Sequence, residues 1–354
     1  MSAEIAVSGA EAAPPVAQPQ IYEHRFQFTG SAGEYFRIWI VNVLLSVLTL
    51  GIYSAWAKVR TRQFFYRHTF LDGASFDYTA DPVKILKGRL IAAAVFGSLA
   101  LFQQFSVELY LVGLLLLLAA TPWVIVRALA FNARNSTWRN VRFSFSGTAR
   151  KAFTEYARGL IISIGTLGFA SGVLQWRITR FAAEHHAFGK LPFRFTRRPM
   201  EYVLTYWLIA MFFALAAIFI GVFSEAAAEA TEGNIVPSIL LYLAFIAYGM
   251  TFVFMKVALA NLAWGGIRIG EHRLLSDQTT FSYLWLQIVN VVAIACTLGL
   301  AAPWAKVRNH RYFLDHLKVH AMGALVVESD PSSGDESATG DAMSDLGDFD
   351  LGFG

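Results

Sequence analysis

Long apolar segments alternate with short polar ones along most of the chain. Seven apolar segments stand out, at residues 35–55, 88–105, 109–131, 154–175, 202–223, 237–261 and 283–303. Each is close to the roughly 20 residues that an α-helix needs to cross a membrane. The pattern therefore predicts an all-α polytopic membrane protein.

Composition agrees with this class of protein. Hydrophobic residues make up 56% and charged residues 15% of the 354 residues, whereas soluble domains average about 25% charged residues. The only cysteine, Cys296, cannot form an internal disulfide. Residues 1–20 are rich in Ala and Pro, and residues 328–354 carry eight acidic residues and no basic one. Segments of this kind bury too little apolar surface to fold, so both ends are expected to be disordered tails.

Basic residues crowd particular gaps between the apolar segments. Without the two tails, residues 21–327 carry 29 basic and 15 acidic residues. Two gaps, 106–110 and 224–236, contain glutamates and no basic residue. The positive-inside rule places the basic gaps in the cytoplasm and these two gaps on the far side of the membrane. Both chain termini are then expected in the cytoplasm.

Seven simple spans do not satisfy this rule, because basic gaps flank segments 154–175 and 283–303 on both sides. We therefore expect two hairpins of full spans and three re-entrant or interfacial helical hairpins, with short strands on the cytoplasmic side. The full spans are 88–105, 109–131, 202–223 and 237–261, and the other hairpins are 35–55, 154–175 and 283–303. Seven full spans that break the rule are the alternative, since charge bias orients helices without dictating topology.

The three unusual segments share a motif. Each contains Thr-Leu-Gly, at 49–51, 166–168 and 297–299, with an arginine nine residues and a histidine seventeen residues after the glycine. The first two copies stay in register over a longer stretch, since the Phe-x-Phe-x-Gly of 26–30 returns at 143–147. This self-similarity predicts membrane repeats at 21–142 and 143–280, followed by a truncated third repeat at 281–327.

These motifs resemble those of the YjgN-like family of bacterial inner-membrane proteins. The resemblance rests on the Phe-x-Phe-x-Gly opening, the string Thr-Leu-Gly-x-x-x-x-Trp-Ala-Lys-Val-Arg and a Phe-x-Tyr-Thr sequence, and it covers roughly residues 22–322. The second copy departs from the string, with Leu-Gln-Trp-Arg at 174–177. The resemblance implies a multi-pass protein of the inner membrane and implies no particular activity.

The repeated basic positions and histidines are the candidate ligand- or lipid-binding residues. They are Lys58, Arg60, Arg177, Lys306, Arg308, His68, His185 and His316. Basic clusters beside membrane helices bind anionic headgroups or other anions, although they also enforce topology by snorkelling to the interface. For the histidines, packing or headgroup contact is preferred over metal binding, because no cysteine or carboxylate recurs beside them at ligand spacing. Neither a metal nor a cofactor is expected.

Asn42 and Asn290 lie inside apolar segments, where an unpaired polar group is costly. They are candidates for a polar pathway through the membrane. The alternative is that each forms a hydrogen bond with a neighbouring helix.

The sequence lacks the signatures of common enzymes, including Gly-x-Ser-x-Gly, His-Glu-x-x-His, the Walker loop and the dinucleotide fingerprint. No enzymatic activity is therefore expected. A channel- or transporter-like protein is one hypothesis, by analogy with transporters built from repeats with broken helices. The other is a membrane scaffold or an anionic-lipid-binding envelope protein. Anionic membrane lipids are the expected partners and nucleic acid is not, while a homo-oligomer and a protein partner of the acidic tail are left open.

Overall fold

A computed structural model describes residues 21–230 and 234–322, so the predicted tails at 1–20 and 328–354 lie outside the described residues. Within these two ranges the chain forms ten short strands and ten helices. The strands are β1 (Ile21–Phe28), β2 (Thr69–Leu71), β3 (Ala74–Tyr78), β4 (Ser136–Trp138), β5 (Val141–Phe145), β6 (His186–Phe188), β7 (Leu191–Phe195), β8 (Ile267–Ile269), β9 (His272–Ser276) and β10 (Leu317–Met322). The helices are α1 (Ala32–Leu48), α2 (Ser54–Arg67), α3 (Pro82–Phe105), α4 (Val107–Asn135), α5 (Ala149–Gly165), α6 (Ser171–Glu184), α7 (Pro199–Ala228), α8 (Val236–Trp264), α9 (Thr280–Cys296) and α10 (Ala302–Asp315).

The strands form a closed antiparallel barrel. Its order is β1-β10-β9-β8-β7-β6-β5-β4-β3-β2, and β1 closes the barrel by pairing with both β10 and β2. The all-α fold class predicted from the sequence is therefore wrong. Short strands were expected, but most of them have only three to five residues, and the local pattern of so short a strand does not show which strand it pairs with.

Two kinds of connection alternate around the barrel. At one end, two-residue turns join β2 to β3, β4 to β5, β6 to β7 and β8 to β9. In the Asp72-Gly73 and Arg139-Asn140 turns both residues have positive φ, as the right-handed twist of a tight hairpin favours. At the other end, each connection is a pair of helices. The described chain thus consists of five strand–helix–helix–strand units whose helix pairs all leave and re-enter the barrel at the same end.

Four helices in the described part of the chain, α3, α4, α7 and α8, are long and apolar enough to cross a membrane. They contain the four segments predicted as full spans. The other pairs, α1–α2, α5–α6 and α9–α10, each combine a 17-residue helix with a 14-residue helix. These pairs cover the three segments with the Thr-Leu-Gly motif, and their depth in a membrane stays untested.

The helices form a closed ring above the barrel. Each helix packs against the next one in the chain, and α10 packs against α1. A close approach occurs between α6 and α7, where a Cβ atom added to Gly172 would lie 2.6 Å from the backbone of Tyr202 and Val203. The ring therefore follows the order of the strands beneath it.

The Thr-Leu-Gly motif forms the turn inside each short helix pair. The Thr49 hydroxyl donates to the Leu45 carbonyl at 2.7 Å and accepts the Tyr53 N–H at 2.9 Å, so it joins both helices of the pair. Thr166 and Thr297 repeat the two bonds within 0.1 Å. The three motif glycines have φ angles of +90°, +88° and +94°, a region that favours glycine.

The leucine of each motif also has a positive φ, close to +50°, which is uncommon for a residue with a side chain. Leu50, Leu167 and Leu298 are 95%, 89% and 96% exposed. The tips of the three short helix pairs therefore present exposed apolar side chains on the helical side of the barrel.

Candidate functional site

Inward-facing side chains at one level of the barrel come from all five units. In each unit the two strands place two apolar residues directly opposite each other. The pairs are Phe26/Leu71, Phe76/Trp138, Phe143/Phe188, Phe193/Ile269 and Leu274/Val319. Rings also meet across units, since the centroids of Trp138 and Phe188 are 5.5 Å apart. The middle of the barrel is thus lined by aromatic and aliphatic groups.

These side chains leave a cavity of about 190 Å³ inside the barrel, beneath the helix ring. The last turns of α2, α4, α6 and α8 contribute to its lining through Tyr66, Ala133, Ala183 and Trp264. Barrels of eight strands already enclose a small ligand in some proteins, so ten strands leave room even with large side chains inside. An engineered apolar cavity of about 150 Å³ takes up benzene, so this one has room for a ring or a short chain of carbon atoms.

Polar groups of the lining gather at the end of the cavity nearest the helices. Arg62 of α2 donates from Nη1 to the Tyr78 hydroxyl at 2.8 Å and to the Asn132 amide oxygen at 2.5 Å. The guanidinium carbon also lies 5.1 Å from the centre of the Tyr78 ring. Beside it, the Ser136 and Tyr66 hydroxyls are 3.2 Å apart. The cavity therefore has an apolar body and one cationic corner.

Two histidines also line the cavity, and both are neutral at pH 7. Burial lowers the pKa of His186, although its Nδ1 lies 2.6 Å from the Ala182 carbonyl, which opposes the shift. Burial also lowers the pKa of His272, and the neighbouring His24 adds to this shift. Among the described residues that line the cavity there is no Asp or Glu. Arg62 therefore sets the charge of the lining.

The basic residues predicted to bind a ligand lie on three short helices and do not line the cavity. Arg177 of α6 forms an ion pair with Glu155 at 2.7 Å. The others contact aromatic rings or are half-buried: Arg60 over Tyr53, Arg308 over Trp304, Lys306 over Phe65, and Lys58 on α2. They are spread over α2, α6 and α10, and lipid binding by them stays a prediction.

The three repeated histidines terminate helices. In His68, His185 and His316 the Nδ1 atom lies 2.7, 2.9 and 2.8 Å from the carbonyl oxygen four residues earlier. This contact helps to satisfy the carbonyl groups left open at a helix C-terminus. The described residues contain no group of three His, Cys, Asp or Glu side chains that could hold a metal ion.

The two buried asparagines bond to the second helix of their own pair. Asn42 donates to the Ala57 carbonyl at 3.4 Å. Asn290 donates to Asn309 at 2.8 Å and accepts from Arg308 at 3.3 Å. These are the contacts of the alternative interpretation, in which each asparagine bonds a neighbouring helix, and neither residue lines the cavity.

Except for Arg62, the cavity residues were not candidates from the sequence. Arg62 belongs to the same basic cluster as Arg60, and nothing in the local pattern separates the two. A usable signal was the aromatic in the first strand of four of the five units, at Phe26, Phe76, Phe143 and Phe193. Because an aromatic residue recurs at four equivalent positions, the four side chains are expected to have similar surroundings. Only the closed barrel places all four at one level.

Comparisons with known proteins support the membrane class and identify the family. The chain is 27% identical over 342 residues to "Inner membrane protein YjgN" of Salmonella typhimurium, which covers 81% of this chain and 86% of that protein. The protein of the same name from Escherichia coli K12 is 33% identical over 126 residues, 35% of this chain and 31% of that protein. No solved structure matches the chain.

The family described as "Bacterial protein of unknown function (DUF898)" matches residues 23–346. This match covers nearly the whole stretch on which the resemblance to YjgN-like proteins rests, and it confirms that resemblance. The four long apolar helices suit a multi-pass membrane protein. The chain is similar to proteins named "Inner membrane protein YjgN", and it belongs to the DUF898 family of bacterial proteins.

Proposed function

We propose that this protein is a multi-pass protein of the bacterial inner membrane whose barrel binds a small anionic amphiphile, that is, an apolar molecule with an acidic head group. The observation that carries the proposal is the apolar barrel cavity with Arg62 at its helical end. The proposed activity is binding, and no catalytic step is included.

The location rests on the helices and on the relatives. Four helices suit membrane spans, and the relatives are named inner membrane proteins. Because all five helix pairs leave the same end of the barrel, the barrel lies on one side of the membrane. Its strands carry exposed arginines, among them Arg142, Arg194 and Arg268, so the positive-inside rule favours the cytoplasm. Residues 21 and 322 lie at the barrel end opposite the helices, which places both ends of the described chain there too.

Arg62 suits the acidic head group. A guanidinium has five N–H donors in one plane and binds a carboxylate through two parallel bonds. The contacts with Tyr78 and Asn132 hold the guanidinium group at the cavity wall. A bound anion would meet no carboxylate among the described lining residues.

The barrel interior suits an apolar body of limited size. The five apolar pairs surround the space, and burial of a hydrocarbon chain there stabilises the complex by about 0.8 kcal/mol for each methylene. A volume near 190 Å³ fits one ring or a chain of about seven carbons, judged against the roughly 150 Å³ that hold benzene. Octanoate is therefore a suitable probe.

A channel- or transporter-like role has less support. Its predicted pathway residues, Asn42 and Asn290, bond within their own helix pairs. Ion-conducting paths are lined by carbonyl groups or charged side chains, whereas aromatic and aliphatic pairs line the middle of this barrel.

Photolabelling in nanodiscs tests the proposal. A diazirine derivative of octanoate is bound at pH 7.5 and activated, and labelled residues are found by peptide mass spectrometry. We expect labels on β4 and β6, at residues such as Trp138 and Phe188. We expect octanoate to compete at a concentration about tenfold lower than 1-octanol, because a hydrogen bond to a charged group contributes about 1.5 kcal/mol.

Matched variants separate the two parts of the proposal. Ala183→Phe fills the cavity and should abolish labelling of the barrel, whereas Ala187→Phe lies on the outer face of β6 and should not. Arg62→Gln should remove the preference for octanoate, while Arg67→Gln, exposed on the same helix, should keep it. Labels confined to α7 and α8 would overturn binding in the cavity. Equal competition by octanol and octanoate with wild-type protein would overturn the acidic head group alone.

A further inference from the structure

Three exposed arginines lie side by side on the outer face of the barrel. The strand register pairs Arg194 of β7 with Arg268 of β8, and Arg268 with Arg273 of β9. None of the three side chains has an ion pair or a hydrogen bond with the described residues. Like charges directly opposite each other destabilise a sheet. This arginine row therefore favours an anion as its partner.

The chain itself carries an anionic segment after its last strand. Residues 328–350 contain eight acidic side chains and no basic one: Glu328, Asp330, Asp335, Glu336, Asp341, Asp345, Asp348 and Asp350. The segment follows β10, which ends at Met322 and pairs with β9. Neighbouring strands are about 4.8 Å apart, so β9, β8 and β7 lie roughly 5 to 15 Å from β10 around the barrel.

The connecting residues are long enough. The six residues from Met322 to Glu328 span up to about 20 Å when extended, which exceeds the distance to β7. A segment tethered to the same chain also has an effective concentration in the millimolar range at the row. A separate anionic partner of equal affinity would compete with it only at a millimolar concentration. The row lies on the side of the barrel, away from the helix ring that a bilayer surrounds.

We propose that the acidic segment 328–350 binds the Arg194–Arg268–Arg273 row of the same chain. The attraction is electrostatic and is screened by salt, since the Debye length is about 8 Å at physiological ionic strength and about 3 Å at 1 M. This interaction does not depend on the ligand proposed for the cavity.

Zero-length cross-linking of the full chain tests the proposal. Arg268→Lys keeps the positive charge and adds an amine that a carbodiimide couples to a nearby carboxylate as an amide. Arg142→Lys is the matched control, because Arg142 is an exposed arginine of β5, on the side of the barrel opposite β10. Mixing isotopically labelled and unlabelled protein separates coupling within one chain from coupling between chains.

We expect coupling of position 268 to residues 328–350 of the same chain, at a yield about tenfold above that of position 142, because the arginine row attracts the acidic segment whereas Arg142 lies opposite Thr137. The yield should fall in 1 M NaCl. Equal yields at the two positions, or no coupling at 268, would overturn the proposal. Coupling only between chains would also overturn it and would assign the row to a second copy.

Discussion

The close contact between α6 and α7 predicts that the substitution Gly172→Ala destabilises the protein. A Cβ atom at this position would lie 2.6 Å from the carbonyl carbon and oxygen of Tyr202 and from the N atom of Val203. Ordinary contact begins at 3.4 Å, so the two helices must separate by up to about 0.8 Å. The atoms in the way are backbone atoms of a long helix and cannot move by a change of rotamer.

The expected loss of stability follows from this geometry. Overpacking of a close contact costs about 1–3 kcal/mol, and the backbone clash places this variant at about 2–3 kcal/mol. The free energy of unfolding can be measured in mixed micelles by titration with sodium dodecyl sulfate, with circular dichroism as the signal. Helix propensity opposes the effect by at most about 1 kcal/mol, the difference between glycine and alanine.

Gly221→Ala provides the matched control. Gly221 lies on α7, and no atom outside its own helix backbone comes within 4 Å of the added Cβ. This variant should unfold like the wild type or at a slightly higher detergent fraction. If Gly172→Ala and Gly221→Ala gave the same free energy of unfolding, α6 and α7 would not pack as described.

Two further substitutions test the turn motif and a buried histidine. Thr297→Val removes the two hydrogen bonds that join α9 to α10 and should destabilise the protein by about 1–3 kcal/mol, whereas Thr297→Ser should keep most of the stability; equal losses would contradict the bridging role. Burial, with a smaller contribution from Lys306, lowers the pKa of His310 to about 3. Because the unfolded chain binds this proton near pH 6.5 and the folded chain does not, stability should fall below that pH by at most about 1.4 kcal/mol per unit. His310→Gln should flatten this slope between pH 7 and pH 5, and an unchanged slope would refute the assignment.

The helices were largely predictable from the sequence. Apolar runs of about 20 residues locate α3, α4, α7 and α8 because a membrane span requires that length. The Thr-Leu-Gly motif located the three turns because the glycine needs a positive φ. The bridging by the threonine hydroxyl was not predicted, since the motif does not show which groups its side chain reaches.

The barrel was not predictable by the same means. Strands β2, β4, β6 and β8 have three residues each, and a helix pair separates each from its partner in the unit. Local patterns therefore revealed only a repeat of 117 residues, which corresponds to two of the strand–helix–helix–strand units. The equivalence of Phe26 with Phe76 within one repeat marks the smaller unit. The Asp72-Gly73 pair, a strong signal for a hairpin turn, points the same way.

The candidate site depends on the closure of the barrel, which the sequence did not predict. Arg62 reaches the cavity only because α2 ends above the barrel and Tyr78, the last residue of β3, lies beside it. Residues such as Trp138 and Phe188 are ordinary aromatic positions until the strand order brings them together. The three predicted histidines recur because each contacts the carbonyl oxygen four residues earlier at the end of a helix. Binding by the predicted basic positions stays a prediction, since recurrence alone does not distinguish a structural role from binding.

Closure of the barrel between its first and last strands is the claim on which the cavity depends, and a disulfide tests it most directly. Glu23 and His320 are directly opposite in the β1–β10 pair, at a Cβ separation of about 5 Å. In a Cys296→Ser background, Glu23→Cys with His320→Cys should form an intramolecular disulfide under mild oxidation, seen as faster migration in non-reducing gels. Glu23→Cys with Arg142→Cys, on opposite sides of the barrel, should not. Failure of the first pair to cross-link, or equal cross-linking of both pairs, would contradict a closed barrel.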